Sequence, residues 1–369
     1  MYDYLIVGSG LFGAIFAREM TDAGYKCLVI DKRNHIGGNC YTKKIDGIDV
    51  HEYGPHIFHT SSQRVWDYMN RWTEFNHFVY RPKVHNQNKI FSFPINLFTL
   101  YQLWGVKTPE EAKTKLEQVK ILHANPTNLE EWILSQVGQE IYDKFIYGYT
   151  KKQWGREPSL LPASIIKRLP IRLTMDDNYF EDCYQGIPKN GYTVIFEKLL
   201  NGIETHLNTD YFSNKIQFDK MASKVVYTGA IDEFFNYDLG TLEWRSLKFE
   251  HQHLPISDFQ GNAAINYTDE NVSYTRIIEH KHFIFGKQNT TVITKEYPQQ
   301  WDINKEKFYP VNDEKNNTLY KQYKERINPD KYIVGGRLAD YKYYDMHQVV
   351  GSALVRAEKE IQIMNRKIS

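Results

Sequence analysis

Two groups of residues in this sequence have types and spacings that can do chemistry. The first is Gly8-Ser9-Gly10-Leu11-Phe12-Gly13, which follows the continuous apolar run Tyr4-Leu5-Ile6-Val7 and opens an apolar-periodic stretch. The order is strand, glycine turn, helix. Gly8 permits the tight turn, Gly10 lets backbone approach a pyrophosphate, Gly13 allows close helix–strand contact, and the helix N-terminus favours the negative charge. A second apolar strand, Cys27-Leu28-Val29-Ile30, ends in Asp31. That acid stands about 20 residues beyond the glycines, where such folds put the carboxylate that accepts hydrogen bonds from an adenosine ribose.

The residues after Asp31 point to FAD over NAD. Lys32-Arg33-Asn34-His35-Ile36-Gly37-Gly38-Asn39 carries a second glycine pair, which brings backbone close to the ribityl and phosphate part of a long extended cofactor. Tyr332-Ile333-Val334-Gly335-Gly336-Arg337 repeats the strand-then-glycine pattern, and Asp345 stands at the N-cap of a helix running through Val349 and Leu354. That helix start can face the flavin ring. An N-terminal and a C-terminal element meeting on one cofactor make the intervening chain an insertion. No second GxGxxG serves NADPH, so the flavin is reduced from outside or by substrate.

The second group is basic. Residues 151–172 hold Lys151, Lys152, Arg156, Lys167, Arg168 and Arg172 against the single Glu157, which is where an anionic ligand could bind. Taken alone, such a run is a solvated face. His51, His56 and His59 invite a metal reading, but in an alternating strand His56 points away from the other two, and no acid or cysteine stands at ligand spacing. No metal is expected. Cys40, at the phosphate end of the cofactor, reads as a small buried residue and not as a flavin attachment point.

The elements that must position these groups follow from the rest of the chain. At 369 residues it suits two or three packed units. Thr108-Pro109-Glu110-Glu111 has a capping-box pattern, and Leu129, Trp132, Ile133, Val137, Ile141 and Phe145 recur at helical spacing, so residues 95–160 are mainly helical. Beyond Tyr192, stretches such as Lys224–Thr228 and Thr291–Thr294 read as sheet. Lys plus Arg total 46 against 45 Asp plus Glu, so no global field favours nucleic acid or an anionic membrane. Three cysteines without paired spacing, and a strand that starts at residue 2 with no charged leader, indicate a cytoplasmic protein. No apolar run approaches the roughly 20 residues of a membrane span.

Several segments together resemble the bacterial UDP-galactopyranose mutases from end to end. They are Gly8–Ala14, Arg33–Asn39, Tyr53–Thr60, Gly148–Gly155, Leu161–Arg168, Asp176–Phe180, Tyr274–Ile277 and Gly336–Leu338. The first two are common to many flavoproteins; the later ones are specific. The resemblance implies an α/β fold: a Rossmann-type FAD-binding domain (1–76, 193–238 and 315–369), an inserted helical domain (94–163) and an antiparallel-sheet substrate domain (77–93, 164–192 and 239–314). It implies a homodimer and an isomerase that interconverts UDP-galactopyranose and UDP-galactofuranose with FAD in its reduced state. The resemblance further implies that flavin N5 attacks the anomeric carbon and expels UDP, and that the adduct opens to an iminium and recloses through the 4-hydroxyl, which would be covalent catalysis by a cofactor.

Residue by residue, the resemblance assigns Gly8, Gly10, Phe12, Gly13, Asp31, Lys32, Asn39, His56 (through its backbone), Ile57, Arg337, Asp345 and Met346 to FAD. Arg168, on a closing loop, and Arg276 meet the diphosphate, where fixed guanidinium groups stabilise developing charge; His59 stands near the ring. Phe145, Tyr149, Thr150 and Trp154 belong to the uridine region, Tyr179, Tyr309 and Tyr343 to the phosphates and sugar with Asn266 a nearby polar contact, and Tyr80, near the nucleotide, and Arg245 are substrate-binding as well. Lys151, Lys152 and Arg172 stay with the solvated face. Many relatives place Asn where this chain has Tyr80. A 2-acetamido sugar, UDP-N-acetylgalactosamine, is a second candidate substrate. The alternatives are an FAD-dependent oxidase or dehydrogenase of amine-oxidase type, supported by the N-terminal fingerprint alone, and a nucleotide-sugar or flavin binder without catalysis.

Overall fold

A computed structural model describes residues 1–167 and 169–368. The apolar run at the N-terminus becomes the strand Tyr2–Val7, the middle of a five-stranded parallel sheet in the order Tyr332–Val334, Ala222–Tyr227, Tyr2–Val7, Cys27–Ile30, Glu204–His206. Alternate residues feed two cores. Tyr4, Ile6, Val29 and Val226 pack under the helices Leu11–Asp22 and Met346–Ile368, while Leu5, Leu28 and Val225 pack with Tyr211 and Phe234 on the other face. Burial on both sides explains why these strands read as unbroken apolar runs. Val7, Ile30 and Tyr227 are in register, so Gly8, Asp31 and Thr228 leave the sheet at one edge, the carboxyl edge where such sheets bind ligands.

The helical region is punctuated by side-chain caps. Asn96, Thr108 and Asn128 each accept a backbone N–H at the starts of Leu97–Trp104, Pro109–Val119 and Leu129–Ile141. Gly138 interrupts the last of these at φ +75°, and a Cβ there would lie 2.2 Å from the Val119 carbonyl oxygen. The chain then widens into a π-helix, Tyr142–Tyr147, before the helix Gly148–Trp154; such irregular turns are frequent at functional sites.

The remaining sheet has seven strands, dominated by the antiparallel ladder of Trp244–Leu254 with Thr291–Gln300. One of its pairs departs from the antiparallel expectation: Lys83–Asn86 runs parallel to Ala264–Tyr267. Arg276–Glu279 lies between Ala264–Tyr267 and Thr291–Gln300, with Arg276 opposite Asn266 on one side and Glu296 on the other. Directly opposed residues share a face, so register alone aligns a cation, an amide and a carboxylate. No helix among the described residues is long and apolar enough to cross a membrane.

Candidate active site

The carboxyl edge of the parallel sheet opens into a cavity of about 940 Å³ that continues between the helical region and the seven-stranded sheet. Its sheet end is a cradle of main chain. Gly8 adopts φ +105°, and a Cβ on Gly13 would sit 1.9 Å from the Gly8 carbonyl oxygen, so helix and turn touch. The two glycine turns meet as well: the Gly37 N–H donates to the Ser9 carbonyl at 3.1 Å, and a Cβ on Gly38 would be 3.1 Å from Gly10 Cα. Helix Leu11–Asp22 starts without a side-chain cap, which leaves its first N–H groups for an anion.

Asp31 is buried. Its Oδ2 accepts the Ser9 N–H (2.8 Å) and hydroxyl (2.6 Å), and its Oδ1 accepts the Arg33 N–H (2.9 Å). A carboxylate has about four acceptor positions, so one is left for a ribose hydroxyl. Gly335 and Gly336 close on the Phe12 ring, where a Cβ on Gly335 would come within 2.2 Å. Lys32, Asn39, Ile57, Arg337, Asp345 and Met346 line the same cavity. Asp345 immediately precedes helix Met346–Ile368, and its N–H donates to Gln348 Oε1. The cradle, the uncapped helix and the spare acceptor position fit a dinucleotide such as FAD.

His56 lines the same cavity. Its backbone N–H donates to His51 Nδ1 (3.1 Å) and its carbonyl accepts the Tyr192 hydroxyl (3.0 Å), which leaves the second lone pair of that carbonyl as the backbone's free acceptor. Burial, with Arg337 nearby, pushes the His56 imidazole down to about 4, and His51 is also held low by burial and by His280 and His56. Both rings are neutral near pH 7. Cys40 is buried, and burial raises its thiol to about 12, which makes it inert as a nucleophile.

The far end of the cavity is made of side chains. Arg276 Nη2 donates to the Tyr149 hydroxyl (3.0 Å) and lies 3.9 Å from Glu296 Oε1. Burial opposes the Arg276 charge, but Glu296, Tyr149, Tyr80 and Tyr309 offset it and hold its pKa well above the ordinary value. Burial likewise raises the phenols of Tyr80, Tyr149 and Tyr309, keeping them protonated. Arg276 Nε, Asn266 Oδ1 and Glu296 Oε1 are buried with no hydrogen-bond partner among the described residues. Tyr80 packs edge-on against Tyr179 (5.4 Å) and stacks on Phe180. Tyr309 and Tyr343 stack at 5.1 Å, with the Arg337 guanidinium over both rings, where the two ends of the cavity join. Phe145, on the π-helix, and Tyr149, Thr150 and Trp154, on the helix after it, complete this wall. His59 Nδ1 is 2.5 Å from Asp182 Oδ2, and its ring stacks on Phe180. With Asp345 and His347 it offers ligand atoms within 4.8 Å of one another, a set able to hold a metal ion.

Of the other predicted site residues, Arg168 lies outside the described residues. Arg245 does not line the cavity: its Nε and Nη2 donate to the Gln153 and Lys152 carbonyls and its Nη1 to Gln300 Oε1, so it fastens the C-terminus of helix Gly148–Trp154. The basic stretch is not one solvated face either. Lys151 pairs with Glu157 and Glu270, Arg156 with Glu243, and Arg172 turns inward onto the Asn178 carbonyl. Lys152 is drawn into the protein, and Lys167 lines the cavity. Sequence reasoning missed Glu296 and Asp182; Glu296 is legible only through strand register, and nothing in the sequence singles out Asp182.

The fold and this cavity define a dinucleotide-binding protein of Rossmann type, and residues 6–72 match the family model of the NAD(P)-binding Rossmann-like domain. Residues 144–343 match the model described as UDP-galactopyranose mutase. Over 378 aligned residues, 100% of both chains, the sequence is 38% identical to dTDP-fucopyranose mutase of Escherichia coli. It is 39% identical over 363 residues to a probable UDP-galactopyranose mutase of Klebsiella pneumoniae, covering 96% of this chain and 94% of that one. A crystal structure of a reduced UDP-galactopyranose mutase superposes with a TM-score of 0.77 over 98% of this chain and 94% of the other; at 13% identity that supports the fold. The chain belongs to the UDP-galactopyranose mutase family and is an isomerase of that flavin-dependent family.

Proposed function

We propose that the protein interconverts UDP-galactopyranose and UDP-galactofuranose on reduced FAD. The observation that carries this reading is a single cavity with a main-chain dinucleotide cradle at one end and Arg276 among aromatic side chains at the other. Reduced FAD supplies the nucleophile for the anomeric carbon when bound. The chain's own part is to hold and orient. Aromatic faces of Phe145, Tyr149 and Trp154 pack the uracil, and Arg276, with Arg168, offsets the charge that gathers on the departing UDP. The hydroxyls of Tyr80, Tyr309 and Tyr343 donate to phosphate and sugar oxygens, with Tyr179 and Asn266 beside them, and His59 stands by the sugar, held by Asp182. The domain borders given above, a homodimer, a cytoplasmic setting, a role in supplying furanose sugar to a surface polysaccharide and acceptance of UDP-N-acetylgalactosamine belong to the same proposal.

A second reading is a thymidine-linked deoxy sugar. It is favoured by the dTDP-fucopyranose mutase that matches this chain from end to end at nearly the same identity as the probable UDP-galactopyranose mutase. The test incubates the yellow holoprotein with UDP-galactofuranose or dTDP-fucofuranose, with and without dithionite, and separates products by chromatography. Conversion of the uridine sugar only after reduction is expected. Conversion of the thymidine sugar alone transfers the assignment to it, and no conversion of either, with flavin bleaching by an amine, reinstates the oxidase alternative.

A further inference from the structure

Lys152 belongs to the part of the basic stretch to which the substrate reading gives no role. Its side chain leaves helix Gly148–Trp154 and enters the turn joining Ala264–Tyr267 to Arg276–Glu279. There the ammonium lies 2.8 Å from the carbonyl oxygens of Tyr267 and Asp269, 2.9 Å from that of Val272 and 3.1 Å from that of Tyr274. An ammonium has three donors, and here they are shared among four acceptors, so one cation closes the whole turn. Helix and turn are already in close contact: a Cβ on Gly148 would lie 2.1 Å from the Thr268 carbonyl oxygen, and the Thr268 hydroxyl donates to the Lys144 carbonyl at 2.6 Å. The helix carries Tyr149, Thr150 and Trp154, and the turn ends at Arg276.

We propose that Lys152 is a positioning residue that locks the base-binding helix to the strand presenting Arg276, so that a nucleoside diphosphate meets both subsites at a fixed spacing. This inference rests on the nucleotide-sugar reading. A ligand that spans both subsites gains from a preset distance between them; a ligand touching one does not. Asp269 and Glu270 face the ammonium from the turn, Lys151 beside it on the helix is committed to Glu157 and Glu270, and the Tyr267 and Tyr274 phenols are held protonated by burial. Burial, opposed by the two acids, brings Lys152 down to about 8. Above that pH a neutral amine offers two donors to four carbonyls, and the lock loosens.

The test titrates UDP and uridine into the FAD-loaded protein, with dTDP and thymidine in parallel, for wild type, Lys152→Met and the neighbouring control Lys151→Met. We expect Lys152→Met to keep its FAD and weaken diphosphate binding about tenfold while nucleoside binding stays within about twofold, and Lys151→Met to match wild type. Equal weakening of both probes, or of neither, overturns the lock. A second measurement needs no variant: from pH 7 to about 9.5 the wild-type ratio of diphosphate to nucleoside affinity should fall to that of Lys152→Met. Ionisation of the base affects both probes alike and cancels in that ratio. A flat ratio overturns the proposal even if the variant fails to fold. Wild type that binds no nucleoside diphosphate overturns the substrate reading itself, before any variant is compared.

Discussion

At the sheet end of the cavity, the surface offered to a ligand is main chain: two glycine turns in contact, an uncapped helix start and one buried carboxylate. At the far end it is side chain: Arg276, Asn266, Glu296 and a set of aromatic rings delivered by segments far apart in sequence. Main chain can come close to a ligand only where Cβ atoms are absent, so the first kind of site dictates residue types at fixed spacings. The second dictates only where donors must end up, and many backbones can put them there.

The comparison can be broken in several ways. The largest effect is expected for Gly13→Ala, because the new methyl would lie 1.9 Å from the Gly8 carbonyl oxygen, a backbone atom that cannot yield without displacing the turn. The variant should purify without flavin absorbance and be destabilised by about 3 kcal/mol. Stoichiometric FAD in it would mean that the cradle is not built as described. Next comes Arg276→Ala, which should keep its FAD and lose about 10²–10³ in turnover; loss of flavin instead would put that residue at the wrong end.

Acid probes the loop between the ends. His51, His56 and His280 are buried, with His56 pushed down to about 4 and His280 to about 3, burial being the main cause for each. The unfolded chain, with imidazoles near 6.5, binds more protons below that pH, so stability is fully present above about 6.5 and is lost as pH falls toward 4. Unfolding free energies from denaturant melts at pH 7 and 4.5 should differ by about 2 kcal/mol for each of these rings. An unchanged midpoint would show that these rings already carry charge. The smallest effect is expected for Tyr149→Phe, which removes the acceptor for Arg276 at a cost of about 0.5–1.5 kcal/mol in nucleotide affinity and leaves FAD untouched.

The same contrast governs what the sequence reveals. The glycine turns, the strand before each and the acid after the second strand are legible because φ +105° at Gly8 and the Gly8–Gly13 contact admit almost nothing but glycine. The resemblance located Arg276 and the tyrosines; residue types alone did not. Arg245 shows why: a charge pattern reports that a guanidinium exists, not that a helix C-terminus will claim its donors. Lys152, read as part of a solvated face, is drawn in by four carbonyls whose convergence exists only after the turn has formed. Glu296 reaches Arg276 through a ladder register that period-two alternation does not specify.

The order of the parallel sheet has a further consequence for how the chain comes to be folded. Tyr2–Val7 is an interior strand whose neighbour on one side, Ala222–Tyr227, lies about 220 residues further along the chain, and the helix above it is covered by Met346–Ile368. The glycine turn is therefore made well before the elements that complete it. Until Ala222–Tyr227 is made, an apolar strand waits with one edge unpaired, a state open to aggregation. Contacts this distant in sequence make for slow closure, and the cofactor cradle becomes competent only once Met346–Ile368 has packed in place.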